Sequence, residues 1–241
     1  MSSSSSFEWP SELGHIIIIT MGNRRRLERL VHVLGPLLEL CHVLPAVEGG
    51  ALSLKELKAA GQYKPVDKWN ELTPGQVGCF MSHRLAWKYI IEHNLSSVLV
   101  LEDDATTDFA DEKVASLMRV IMKLREASGQ WSVLYLGRNN RMITDRKRFN
   151  ADIVSPGRSW GLFAYAVSLE GARKLCKQSR VITEAVDIFV STTPMSGRFA
   201  ITPNVFDVHD DGISDTQQRR VKAPARSRDL PSAQTQSFSI Y

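Results

Sequence analysis

The chain has 241 residues, 43% hydrophobic and 23% charged, enough for one large domain or two small ones around a buried core. With 15 glycines and 10 prolines it is neither collagen-like nor of low complexity. The formal charge of +4 sits between Gln217 and Tyr241, where five basic residues face one acid; the body is balanced, so charge gives no reason to expect a nucleic-acid partner.

Residues 1–13 begin with the serine run Ser2 to Ser6 and read as a disordered polar lead. His15 to Thr20 follows with four consecutive isoleucines, the pattern of a strand buried on both faces. After Gly22-Asn23 the chain turns helical, with Leu27, Leu30, Val31 and Leu34 on one face, until Gly35-Pro36. A second strand is predicted over Leu40 to Leu44, a short helix over Leu52 to Gly61, and a long helix from Thr73-Pro74. The stretch LSSVLVLEDDA is a strand ending in three acids. An amphipathic helix spans Glu112 to Ala127 and a strand Trp131 to Gly137.

The basic segment Arg138 to Asn150 reads as a surface loop. A strand over Gly161 to Ser168, a helix, a short helix within VITEAVDIFVS and a last strand in RFAITPNVF complete the body. Strands alternating with helices predict an α/β sheet. Residues 217–241 lack hydrophobic clusters and read as a disordered basic tail.

Cys41, Cys79 and Cys176 are far apart and form no CxxC or zinc spacing, which suits a reducing compartment. No basic, apolar leader opens the chain, and the longest apolar run, Leu162 to Val167, is too short to span a bilayer. The expected location is therefore cytoplasmic.

Glu102, Asp103 and Asp104 repel one another at the mouth of an apolar strand, a cluster that a cation would relieve. Hard oxygen ligands there suit Mn²⁺ or Mg²⁺. Strand alternation points Glu102 and Asp104 one way and Asp103 the other, unless the chain turns. A solvated loop capping the next helix explains the same acids.

In the helix after Thr73, Gly75 and Gly78 permit close approach of backbone or ligand at a phosphate-attracting N-terminus. Ser82 and His83 follow more than a turn later, and a core histidine is the bland reading of His83. Arg24, Arg25 and Arg26 leave the carboxyl end of the first strand, where open α/β sheets bind nucleotides; a solvated helix face accounts for most of them. Asp187 and the cluster Asp207, His209, Asp210 and Asp211 either add to a metal shell or, for the cluster, form a surface turn. No GxSxG, HExxH, Walker A or GxGxxG motif is present.

Taken in order, IIIITMGNRRRLERL, LTPGQVGCFMSHRLAWKYI, VLVLEDDA, GLFAYAVSLEGARKL, AVDIFVS and GISDTQ resemble glycosyltransferase family 25, which includes lipopolysaccharide galactosyltransferases and collagen galactosyltransferase domains. The resemblance covers residues 14–216. It implies a GT-A-like fold with a mixed, mostly parallel sheet flanked by helices, and transfer of a hexose, most often galactose, from a UDP-sugar donor to a saccharide or protein hydroxyl with inversion, assisted by Mn²⁺ or Mg²⁺. Glu102, Asp103 and Asp104 align with the family's acidic metal motif, and His209 is assigned as a further ligand. Asp187 is assigned as the base that takes the acceptor's proton. Donor contacts fall to Arg24, Gly75, Gln76, Ser82 and His83. Gln76 stands where the family usually has Glu, and Ile-Thr-Met replaces Asn-Leu-Asp at the end of the first strand. A catalytically silent binding module and a metal-dependent nucleotidyl- or phosphotransferase are the alternatives.

Overall fold

The computed structural model describes residues 9–66, 71–126, 131–139 and 144–209. The predicted tail, Asp210, Asp211, most of the lead and part of the basic segment lie outside the described residues. In chain order the elements are β1 (Ile16–Thr20), α1 (Arg24–Leu34), β2 (Cys41–Pro45), α2 (Leu54–Ala59), α3 (Pro74–Glu92) and β3 (Ser97–Glu102). Then come β4 (Ala105–Thr106), α4 (Asp111–Glu126), β5 (Val133–Gly137), β6 (Asp145–Arg148), β7 (Ile153–Pro156) and β8 (Ala164–Ser168). The described chain closes with α5 (Leu169–Gln178), α6 (Val186–Thr192), β9 (Arg198–Ile201) and β10 (Asp207–Val208).

Eight strands form one sheet in the order β2-β1-β3-β8-β5-β9-β7-β6. Six run one way; β7 and β8 run against them. This is the α/β arrangement expected from the sequence, a mixed, mostly parallel sheet flanked by helices. The isoleucine run explains why β1 lies inside it. Ile17 and Ile19 pack with Phe80, Trp87, Tyr165 and Phe189 on the face covered by α3, α5 and α6. Ile16 and Ile18 pack with Leu30, Leu34, Val120 and Ile121 on the face covered by α1 and α4. A strand with one solvated face would alternate polar residues at those positions.

Local signals set the helix ends. Asn23 accepts from the Arg26 N–H at the start of α1, and Thr73 with Gln76 forms a reciprocal capping box at the start of α3. Gly35 ends α1, but a 3₁₀ turn continues through Leu40. The basic segment differs from the expected loop: β6 pairs antiparallel with β7 as an edge hairpin. All four β6 residues are exposed, so no apolar alternation marks it in the sequence. No helix among the described residues is long and apolar enough to cross a membrane.

Candidate active site

The carboxyl ends of β1, β3 and β5 and the start of β8 lie along one edge of the sheet. Here β3 delivers Glu102, whose N–H donates to Phe163 O at 2.9 Å, and the chain then turns into β4. The turn resolves the alternation problem posed by three consecutive acids. Asp103 is almost wholly buried and accepts from Thr20 Oγ1 at 2.5 Å, while its Oδ1 lies 3.3 Å from Arg26 Nη1. Its charge is thus matched by α1 and β1.

Asp104 is in a different situation. Its Oδ1 is buried without a hydrogen-bond partner, and burial together with the Glu102 charge pushes its carboxyl up to about 7. An orphaned carboxylate oxygen beside a second carboxylate is costly unless a cation or proton joins it. β10 pairs with β4 and brings the His209 backbone alongside: its amide N–H donates to the Asp104 carbonyl at 2.8 Å.

Glu102 faces α3. Its Oε1 lies 3.0 Å from His83 Nε2 and 3.9 Å from Cys79 Sγ; the ligand atoms of these three residues fall within 4.8 Å of one another. Burial pushes the Cys79 thiol far up, and the negative charges of Glu102, Asp187 and Asp104 push it further. The charges of these three carboxylates, from β3, the following turn and α6, all reach Cys79. Asp187 accepts at Oδ2 from the Gly161 N–H at 3.0 Å and at Oδ1 from the Ile188 N–H at 2.8 Å. Gly161 has φ +78°, so the turn presenting its N–H favours glycine.

The hard oxygens of Glu102 and Asp104 fit Mn²⁺ or Mg²⁺, and the orphaned Oδ1 is the atom such an ion would satisfy; His209 is tied to this turn through its backbone. Residues 14–190 fit glycosyltransferase family 25 (LPS biosynthesis protein). The chain belongs to glycosyltransferase family 25.

Human procollagen galactosyltransferase 2 is 30% identical over 179 residues, 70% of this chain and 28% of the relative. Rat probable inactive glycosyltransferase 25 family member 3 is 31% identical over 178 residues, 69% of this chain and 30% of the relative. The chain therefore spans less than a third of the curated relatives it matches. Among solved structures, mannose-1-phosphate geranyltransferase from Thermus thermophilus aligns over 80% of this chain and 75% of its own, with TM-score 0.41 and 12% identity.

The other residues singled out in the sequence lie apart from this cluster or have internal partners. Ser82 Oγ donates to Gly78 O and accepts from the Val47 N–H, both at 2.8 Å, which pins α3 to the segment after β2. Gln76 Oε1 accepts from the Thr73 N–H at 2.9 Å, a capping role that Glu would fill equally well. Gly75 sits in the same turn, its Cα against Gly49. Arg24 is exposed and paired with Glu28 at 2.7 Å.

Three residues in or behind the site were given no part in it by the sequence: Cys79, Trp87 and Tyr165. For the first two the signal was present, because Cys79, His83 and Trp87 recur every four residues on one helix face. Tyr165 joins only through the fold, and Arg26, one of the three arginines read at the strand's carboxyl end, pairs with Asp103.

Proposed function

We propose that this chain transfers a hexose, galactose first among the candidates, from a UDP-sugar to a saccharide or protein hydroxyl, with inversion and with Mn²⁺ or Mg²⁺ as cofactor. The observation that carries the reading is the buried, unpartnered Asp104 Oδ1 beside Glu102 at the carboxyl edge of the sheet. Glu102, Asp104 and His209 are the residues that would hold the ion. A bound divalent ion would neutralise charge on the departing diphosphate.

Asp187 is our choice for the base. Hydrogen bonds from Gly161 and Ile188 orient its carboxylate, and each oxygen keeps a lone pair for the acceptor hydroxyl's proton. Asp103, neutralised by Arg26, supports the turn that presents Asp104 and leaves ligand binding to its neighbours. Procollagen galactosyltransferase 2 among the relatives favours galactose as the donor sugar and a protein hydroxyl as one acceptor.

A second reading has one observation in its favour: a relative of equal similarity is named probable inactive. That makes this chain a donor-binding module without turnover. Calorimetric titration of UDP and UDP-galactose with and without Mn²⁺, on wild type and Asp104→Asn, tests the site. Metal-dependent binding that disappears in the variant supports it, and UDP release with an acceptor then separates enzyme from module. Wild-type binding unaffected by metal or by the substitution would refute the assignment.

A further inference from the structure

Behind Glu102 runs a chain of buried polar groups that ends on its carboxylate. Trp87 Nε1 donates to Tyr165 Oη at 2.9 Å, Tyr165 Oη lies 3.1 Å from His83 Nδ1, and His83 Nε2 lies 3.0 Å from Glu102 Oε1. His83, Trp87 and Tyr165 have no exposed surface. α3 supplies two of the groups one turn apart, and β8, paired with β3 through Val100 and Tyr165, supplies the third.

Proton counting gives the chain a direction. An indole N–H can only donate, so Tyr165 Oη accepts from Trp87 and has one proton of its own to give. Among the described residues its remaining partner is His83 Nδ1. If Nδ1 carried a hydrogen instead, the phenolic proton would be buried without an acceptor, and a bare Nε2 lone pair would face a carboxylate oxygen. Both arrangements are unfavourable where the tyrosine and the imidazole are sealed from water. The opposite polarity satisfies every group.

We propose that His83 is a positioning residue for Glu102. Trp87 and Tyr165 hold it as the Nε2–H tautomer, and it donates to Glu102 Oε1, fixing the carboxylate's orientation and leaving its other lone pairs for a ligand. The inference rests on the proposed function only in treating Glu102 as a ligand-holding residue. It assigns Tyr165 and Trp87 a part in setting that residue without touching a substrate.

Long-range ¹H–¹⁵N correlation of the histidine rings in the metal-free wild type reads the tautomer directly, with His83→Gln identifying the His83 signals. Nε2–H is expected. Tyr165→Phe removes only the hydroxyl; it should shift His83 to a mixture of tautomers and weaken Mn²⁺ binding about 10- to 100-fold. His83→Leu should lose a comparable factor, and His83→Gln, whose amide still donates to Glu102, should recover most of it.

An Nδ1–H tautomer in the wild type would overturn the inference. It is the form expected if Cys79, His83 and Glu102 instead hold a soft metal through Nε2. A Tyr165→Phe protein with unchanged tautomer and unchanged Mn²⁺ affinity would overturn it as well. Wild type that binds no Mn²⁺ would refute the proposed function, while the ring spectrum would still decide the relay.

Discussion

Arg26 and Asp103 form a buried ion pair at the sheet edge, Nη1 to Oδ1 at 3.3 Å, across 77 residues of sequence. The pair sets Asp103, whose charge is matched, apart from Asp104, whose Oδ1 is buried without a hydrogen-bond partner. Asp103→Ala should therefore act on folding, because it takes a carboxylate away from the buried Arg26 guanidinium and from the Thr20 hydroxyl. A loss of about 3–5 kcal/mol is expected in denaturant unfolding. A stability change under about 1 kcal/mol would show that Arg26 is served by other partners.

Asp104 should behave in the opposite way. Its carboxyl is raised to about 7, so ionisation is harder in the folded chain than in the unfolded one. The resulting penalty grows as pH rises through the ordinary carboxylate range and levels off above about 7. Asp104→Asn lacks that penalty. Without divalent ion at pH 8 it should be more stable than wild type by on the order of 2 kcal/mol, and the advantage should vanish at pH 4. Mn²⁺ should raise the Tm of wild type alone. Scanning calorimetry at the two pH values checks the sign, and equal stabilities at pH 8 would contradict it.

The helix that carries His83 owes its position to glycine. A Cβ on Gly78 would lie 2.7 Å from Val47 O and 2.9 Å from Gly49 Cα. Alanine gains up to about 1 kcal/mol of helix propensity there, but forcing two backbones apart costs about 1–3 kcal/mol. Gly78→Ala should be destabilised on balance, with a lower urea midpoint at unchanged slope.

Gln76 gives a milder test. Glu in its place can still accept from Thr73 N–H and adds negative charge at a helix N-terminus, worth about 0.3–1 kcal/mol. Gln76→Glu should be at least as stable as wild type with the same affinity for UDP, and Gln76→Ala should lose about 0.5–1.5 kcal/mol. A large change in donor affinity with Gln76→Glu would assign the residue to the donor after all.

How legible each part was depended on whether its cause was local. The isoleucines of β1, the Thr73-Pro74 helix start and the apolar strand running into Glu102 all state their conformations within a few residues. β6 does not: as an edge strand exposed along its length, it has no buried face to write a pattern into the sequence. The acidic motif was readable as a cluster, but its division was not. Asp103 meets Arg26 and Thr20 from the start of the chain, and His83 meets Tyr165 across 82 residues. Such pairings follow from strand order, which one chain's hydrophobic periodicity does not encode.

The position of β9 bears on how this protein is cut for experiment. The family match stops at residue 190, yet β9 (Arg198–Ile201) lies between β5 and β7, well inside the sheet. A fragment trimmed to the matched stretch would lose an interior strand and strip the hairpin of β6 and β7 from its neighbour. It would also lose the ladder of β10 on β4 that sits behind Asp104. An inert fragment of that kind would report a broken sheet and would say nothing about the chemistry of its acids.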